Sequence, residues 1–357
     1  MNDSVSYIAP LGDLAVIKIA GADASSFLHS QLTHDVANLP SGQARLAGYC
    51  TAKGRLLADL VFWHDNRDET PAIYALVKAD IAETLVKRLS MFVLRAKAKL
   101  TLTDLHVLGL VTQSTASAGT SSLADELITV QGLDKLPGLD TDTLPTSPAP
   151  WTVVQAADST CVAAPSADPL VSRWWVIAKQ SPLTDAAASS GAAPLATLQA
   201  PAPLSTLEHT DYSAHWHAAD IAAGLPWIIA ATQDVFIPQT LNLDLIDGVS
   251  FTKGCYPGQE VVARSHYRGT VKRRMAYGVV NEVTSQPAAE LPGIDIFDAK
   301  KPDNPCGRVI NAAQTHQTHL LLEVQLSDLE EADFRLGNAD GPAITLCKLP
   351  YEITVSA

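Results

Sequence analysis

The stretch that decides the reading is FTKGCYPGQEVVARSHYRGTVKRRM, Phe251 to Met275. It sets Cys255 between Gly254 and Tyr256, then runs through Pro257 and Gly258 into Gln259-Glu260. Six cations (Lys253, Arg264, Arg268, Lys272, Arg273 and Arg274) stand against one acid, Glu260, in a chain of formal charge −13. Gly254, Pro257 and Gly258 make a turn whose backbone reaches angles that other residues resist. Such a turn lifts a side chain out of a packed element. Lys253 and the arginines that follow favour thiolate over thiol at Cys255, and the thiolate is the reactive form. Local chemistry leaves two readings of this cysteine: a reactive thiol, or a small apolar side chain in a structural turn. The basic run also has two: the solvated edge of a strand, or a site for a phosphate, a polyglutamate tail or a carboxylate.

Bulk properties narrow the choice. A chain of 357 residues is expected to form about two or three domains with sizeable cores. A hydrophobic share of 47% and a charged share of 18% fit an ordinary soluble globular protein. The acidic balance argues against a nucleic-acid coat protein, which needs broad positive surface, so no direct DNA binding is expected. Five scattered cysteines, Cys50, Cys161, Cys255, Cys306 and Cys347, with no C-x-x-C, point to a reducing compartment. The N-terminus begins with an acid and Lys18 breaks its apolar run, unlike a secretory signal. No run is long and apolar enough for a membrane span. The expectation is a cytoplasmic protein.

Working outward, LAVIKIAG reads as a strand, and GADASSFLHSQLTHDV as a helix with Asp23 or Ser25 as N-cap. ARLAGYCTAKGRLLADLVFWHD reads as two strands about the turn TAKG, and AIYALVKADIAETLVKRLSMFVL as strand, turn and amphipathic helix. Thr112 to Ser122 and Thr184 to Pro203 are expected loops, rich in small and polar residues. WWVIAK is a buried strand, and YSAHWHAADIAAGLP a helix from a Ser213 cap to a stop at Gly224. Beyond Met275 come only short strands, which a compact β-barrel would use. His209, His215 and His217 find no carboxylate or cysteine to complete a ligand set, so no metal is expected. Trp216, on the expected helix, reads either as core or as the flat wall of a pocket for an aromatic ligand.

The run Lys253-Gly254-Cys255-Tyr256-Pro257-Gly258-Gln259-Glu260 matches the signature K-G-C-Y-x-G-Q-E. With its flanks FIPQTLNLDLIDGVS and VVARSHYRG, it resembles the YgfZ family of folate-binding proteins, relatives of the glycine-cleavage T-protein, an aminomethyltransferase. Gly21 to Val36 is similar to the family pattern G-x-D-A-x-x-F-L-x-x-Q-L-T-x-D-V, and Cys50 to Gly54 to C-x-A-K-G. The resemblance covers the N-terminal segment and Ser213 to Tyr277.

The resemblance implies an α+β, three-domain T-protein architecture around a central channel that admits tetrahydrofolate. It assigns residues 1–46 with 150–235 to a discontinuous first domain, 47–149 with 236–275 to a ferredoxin-like second, and 276–357 to a C-terminal β-barrel. It implies support of iron–sulfur enzymes, a tRNA-methylthiolating enzyme among them, without turnover of its own. Cys255 and Lys253 would carry the thiol chemistry. Trp216, Tyr256, Gln259, Glu260, Arg264, Arg268 and Asp59 would serve the folate. Three positions depart from the pattern: Ala222 where the T-protein helix carries a pterin-contacting glutamate, Ala58 before Asp59 where it carries paired acids, and Leu14 for a family tryptophan. Two rivals stand beside this reading: a folate-dependent aminomethyl- or methyltransferase, and a thiol redox protein that needs no folate.

Overall fold

The computed structural model describes residues 7–67, 71–113, 144–179, 212–267 and 271–353. Most of both expected loops, and Arg268, lie outside the described residues. In chain order the first half holds β1 (Tyr7–Pro10), β2 (Leu14–Ala20), α1 (Ala24–His29), β3 (Ala44–Cys50), β4 (Leu56–Asp65), β5 (Ala72–Lys78) and α2 (Ala79–Ser90). There follow β6 (Lys99–Leu102), β7 (His106–Gln113), β8 (Val153–Gln155), β9 (Ser159–Ala164) and β10 (Val171–Ala178). The remainder holds α3 (Tyr212–Ala222), α4 (Gln259–Tyr267), β11 (Arg273–Val280), β12 (Asp295–Asp298) and β13 (Lys301–Gln314). It closes with β14 (Thr318–Gln325), β15 (Phe334–Leu336) and β16 (Thr345–Cys347).

These strands form three sheets, ordered β1-β7-β10-β9-β8, β3-β4-β5-β2-β6 and β15-β12-β13-β14-β11-β16, the last curled as a barrel-like unit. Every ladder is antiparallel. The chain visits the first sheet, builds the second and returns, which makes the first unit discontinuous. The boundary expected at 46/47 cuts β3, and that at 275/276 cuts β11. Strand β2 pairs with β5 along its whole length, Leu14↔Lys78 to Ala20↔Ala72, so residues 14–20 belong with the second sheet.

Alternation explains the layers. In β10, Trp175 points into the large core, while its neighbour Trp174 packs against Leu108, Leu110 and Cys161 on the opposite face. Helix α2 buries Ile81, Ala82, Leu85 and Leu89, one apolar stripe, and carries Asp80 in its first turn and Lys87 and Arg88 in its last, matching the helix dipole. Helix α1 stops at His29, well short of Val36, because Thr33 leaves the helix to bridge sheet and loop. Its hydroxyl accepts from the Gly48 amide and donates to the Gly248 carbonyl, both at 2.7 Å. A bulge in β13 between Val309 and Asn311 sends three successive side chains to three different places. It leaves Val309 in the barrel core, turns Ile310 into the large central core and aims Asn311 at the loop after α3.

Candidate functional site

Where the ends of the first two sheets, α3 and the curled sheet converge lies a cleft of about 740 Å³. Gly12 and Asp13 reach it from the start of β2, Lys78 to Asp80 from the β5–α2 junction, and His217, Asp220 and Ile221 from α3. Trp227 and Ile229 follow from the loop, and Asn311 to Gln314 from β13. The helix ends in a Schellman turn: Gly224, at φ +66°, and Leu225 return their amides to Ile221 and Asp220. That turn throws Trp227 back against the cleft.

Trp227 is held from every side. Its indole Nε1 donates to Asp220 Oδ2 at 3.1 Å, and its amide donates to Asn311 Oδ1 at 2.9 Å. Its carbonyl accepts from Asn311 Nδ2 at 2.8 Å, and the Lys78 ammonium lies 5.4 Å from its ring centre. Asp220 is itself buried and paired with Arg173, whose guanidinium also donates to the Trp216 and Pro165 carbonyls. The indole nitrogens of Trp63, Trp174, Trp175 and Trp216 are buried without a partner.

Asp13 sits between Lys78 Nζ at 2.5 Å and the His217 imidazole, whose Nε2 lies at 3.3 Å. Burial acts to raise its pKa. The His217 hydrogen bond and the Lys78 charge outweigh that and hold the carboxyl below its ordinary range.

Trp216 is fully buried and does not line the cleft. Its ring lies on Gly109 of β7, with Arg173 4.2 Å above it and Trp175 edge-on at 6.0 Å, so the core reading holds in this structure. Asp59 is also fully buried, behind the cleft wall. One oxygen accepts from the Ile228 amide at 2.7 Å and the other has no partner. Desolvation lifts its pKa from 3.8 to about 7, against the Ile228 hydrogen bond and the Lys78 charge. The folded protein then retains a proton that the unfolded chain has lost between those values. Stability from this group is full near pH 4 and lost as pH rises through 7, with a slope of at most about 1.4 kcal/mol per unit. Asp59→Asn is expected to remove that slope in denaturation curves taken across the range.

The signature turn lies apart from the cleft lining. Gly258, at φ +82°, packs so closely on the TAKG turn that a Cβ would collide with the Thr51 carbonyl. Gly54, at φ +74°, meets Val261 and the Gly258 carbonyl in return. The two glycine turns interlock. Lys253 is not a free cation: its ammonium donates to the His29 carbonyl and, at 2.7 Å, to that of Leu32, capping the end of α1. Desolvation lowers its pKa to about 8, opposed by the charges of Asp35 and Cys255.

Arg274 is likewise taken up in a buried bidentate pair with Asp244, and Arg273 pairs with Glu323. The positive cluster therefore divides into structural cations and the exposed Arg264 and Lys272. Tyr256 is buried, and Gln259 and Glu260 open α4, a helix absent from the sequence expectation.

Cys255 itself is exposed. Burial pushes the Cys50 and Cys161 thiols up to about 12 and Cys306 to about 11, and raises Cys347 as well. Iodoacetamide at neutral pH is expected to label Cys255 first by peptide mapping, with the buried Cys50 and Cys161 slowest. Equal labelling of Cys347 and Cys255 would show that exposure alone sets the order.

The residues sequence reading missed are Asp13, Lys78 and Trp227, and His217 was weighed there only as a metal ligand. The available signals were an acid immediately before an apolar strand, a lysine closing the strand it pairs with, and a second tryptophan just past the helix stop.

No family model matches the chain. It is 29% identical over 354 residues to the tRNA-modifying protein YgfZ of Sodalis glossinidius, covering 96% of this chain and 92% of that one. The protein of the same name from Edwardsiella ictaluri is 29% identical over 343 residues, covering 96% and 91%. That from an Escherichia coli strain is 27% identical over 349 residues, covering 96% and 92%. Among solved structures, the glycine cleavage system aminomethyltransferase T of Bartonella henselae superposes with a TM-score of 0.60 at 13% identity, over 97% of this chain and 86% of that one. The fold is therefore of the T-protein kind, as the signature implied.

Proposed function

We propose that this chain, a relative of the YgfZ proteins along nearly its whole length, binds a reduced folate and supports tRNA modification by maintaining iron–sulfur enzymes. The observation that carries the reading is the cleft with its fixed indole wall, at the convergence of three sheets in a T-protein-like fold. Its volume of about 740 Å³ lies within the range of small-molecule sites, roughly 300–1,000 Å³. Trp227 is part of the cleft wall although only 3% of it is exposed, and Asp13, Lys78 and His217 supply directional polar groups. These residues fit a tetrahydrofolate, which would bring a one-carbon carrier to the site. The relatives' name ties those proteins to tRNA modification, and this chain matches them over nearly all of their length.

Cys255 is the thiol of this proposal, presented on the interlocked turns, with an iron–sulfur enzyme such as a tRNA-methylthiolating enzyme as partner. The direct test is a calorimetric titration of tetrahydrofolate with tryptophan fluorescence recorded in parallel. Saturable binding with a change in indole emission supports the reading, and no heat at millimolar ligand ends it. Cells lacking the native protein, complemented with wild type or Cys255→Ser at matched expression, test the second half. Full rescue by the serine variant would leave the turn, not the thiol, as the functional element.

A further inference from the structure

Resting on the folate reading of the cleft, we infer that Asp13 is the carboxylate that recognises the amidine edge of the pterin, in place of the helix acid that Ala222 lacks. A pterin ring presents its 2-amino group and an adjacent ring N–H as two parallel donors, and a carboxylate is the side chain that accepts both at once.

Four aspartates lie in or near the cleft, and geometry separates them. Asp220 is buried, with one oxygen on Arg173 and the other on the Trp227 indole. Asp59 lies behind the Ile228 backbone and does not line the cleft. Asp80 is at the exposed rim, with one oxygen accepting from the Ala230 amide. Of the three that line the cleft, Asp13 alone is clamped on both sides and keeps free acceptor capacity. Lys78 takes one oxygen and His217 the other, so each retains a lone pair. Its side chain is 43% exposed, and those lone pairs face accessible space. The clamp also fixes the carboxylate's plane before a ligand arrives, so little ordering remains to be done on binding.

The test compares tetrahydrofolate with its 2-desamino analogue on wild type and on Asp13→Asn, each by calorimetry, with melting curves to confirm folding. On wild type, loss of the 2-amino group is expected to weaken binding roughly 10- to 100-fold, the range for a hydrogen bond to a charged group. Asp13→Asn is expected to weaken tetrahydrofolate by a similar factor and to bind the two ligands alike. A merely structural role for Asp13 would not erase that discrimination. Tetrahydrofolate binding to Asp13→Asn as tightly as to wild type overturns the inference and leaves the folate reading standing. If Asp13→Asn does not fold, the wild-type comparison still decides: equal affinity for the two ligands excludes an amidine contact. No binding of tetrahydrofolate to wild type overturns both.

Discussion

Arg173→Met lowers the stability of the folded protein by about 3–5 kcal/mol, read from urea denaturation. The reason is the environment of Asp220. Both side chains are almost wholly buried, and the guanidinium is the only cation paired with that carboxylate among the described residues. Removing it strands a charge in the core and takes the donor from the Trp216 and Pro165 carbonyls. The double variant Arg173→Met/Asp220→Leu should recover most of the loss, because replacing both members of a buried pair by apolar groups is often neutral. It should still bind tetrahydrofolate more weakly, since Trp227 loses the acceptor that holds its indole. A single variant within about 1 kcal/mol of wild type would mean that water reaches Asp220 and that the pair is not structural.

On the proposed folate reading, Trp227→Ala is expected to weaken tetrahydrofolate binding about 10-fold, because the indole, only 3% exposed, is the cleft wall that Asp220 and Asn311 hold in place. It also destabilises the fold by about 3–5 kcal/mol, as large-to-small changes at buried aromatics do. Trp216→Ala is the control. It should cost comparable stability, since Trp216 is fully buried, yet leave affinity unchanged in protein that remains folded. Equal affinity losses in the two variants would place the ligand against the core face of α3 instead of in the cleft.

The contrast between these tryptophans shows where sequence reading stops. The strand WWVIAK and the hairpin about TAKG announce themselves by apolar runs and turn residues, and both stand in the structure. Helix α3 was legible from its stop at Gly224. Which of its faces lines the cleft was not: Trp216 and His217 are consecutive, about 100° apart around the helix, so one enters the core and the next enters the cleft. Helix α4 was hidden because its start is Gly-Pro-rich and Val262 is its one buried residue. The cleft was hidden for a different reason. Its lining is gathered from five distant segments, and the bulge that aims Asn311 at Trp227 is a property of pairing register, which leaves no local motif.

The interlock of the two glycine turns has a consequence during synthesis. Thr33 finds its Gly248 partner 215 residues later, and Leu32 waits 221 residues for the ammonium of Lys253. At roughly 5–20 residues per second, the ribosome leaves the finished TAKG hairpin uncovered for about 10–40 s. Pairings this distant in sequence also close slowly once both halves exist. The nascent chain therefore passes through a long interval in which β3 and β4 are made but their covering segment is not, and that is when a chaperone has something to hold.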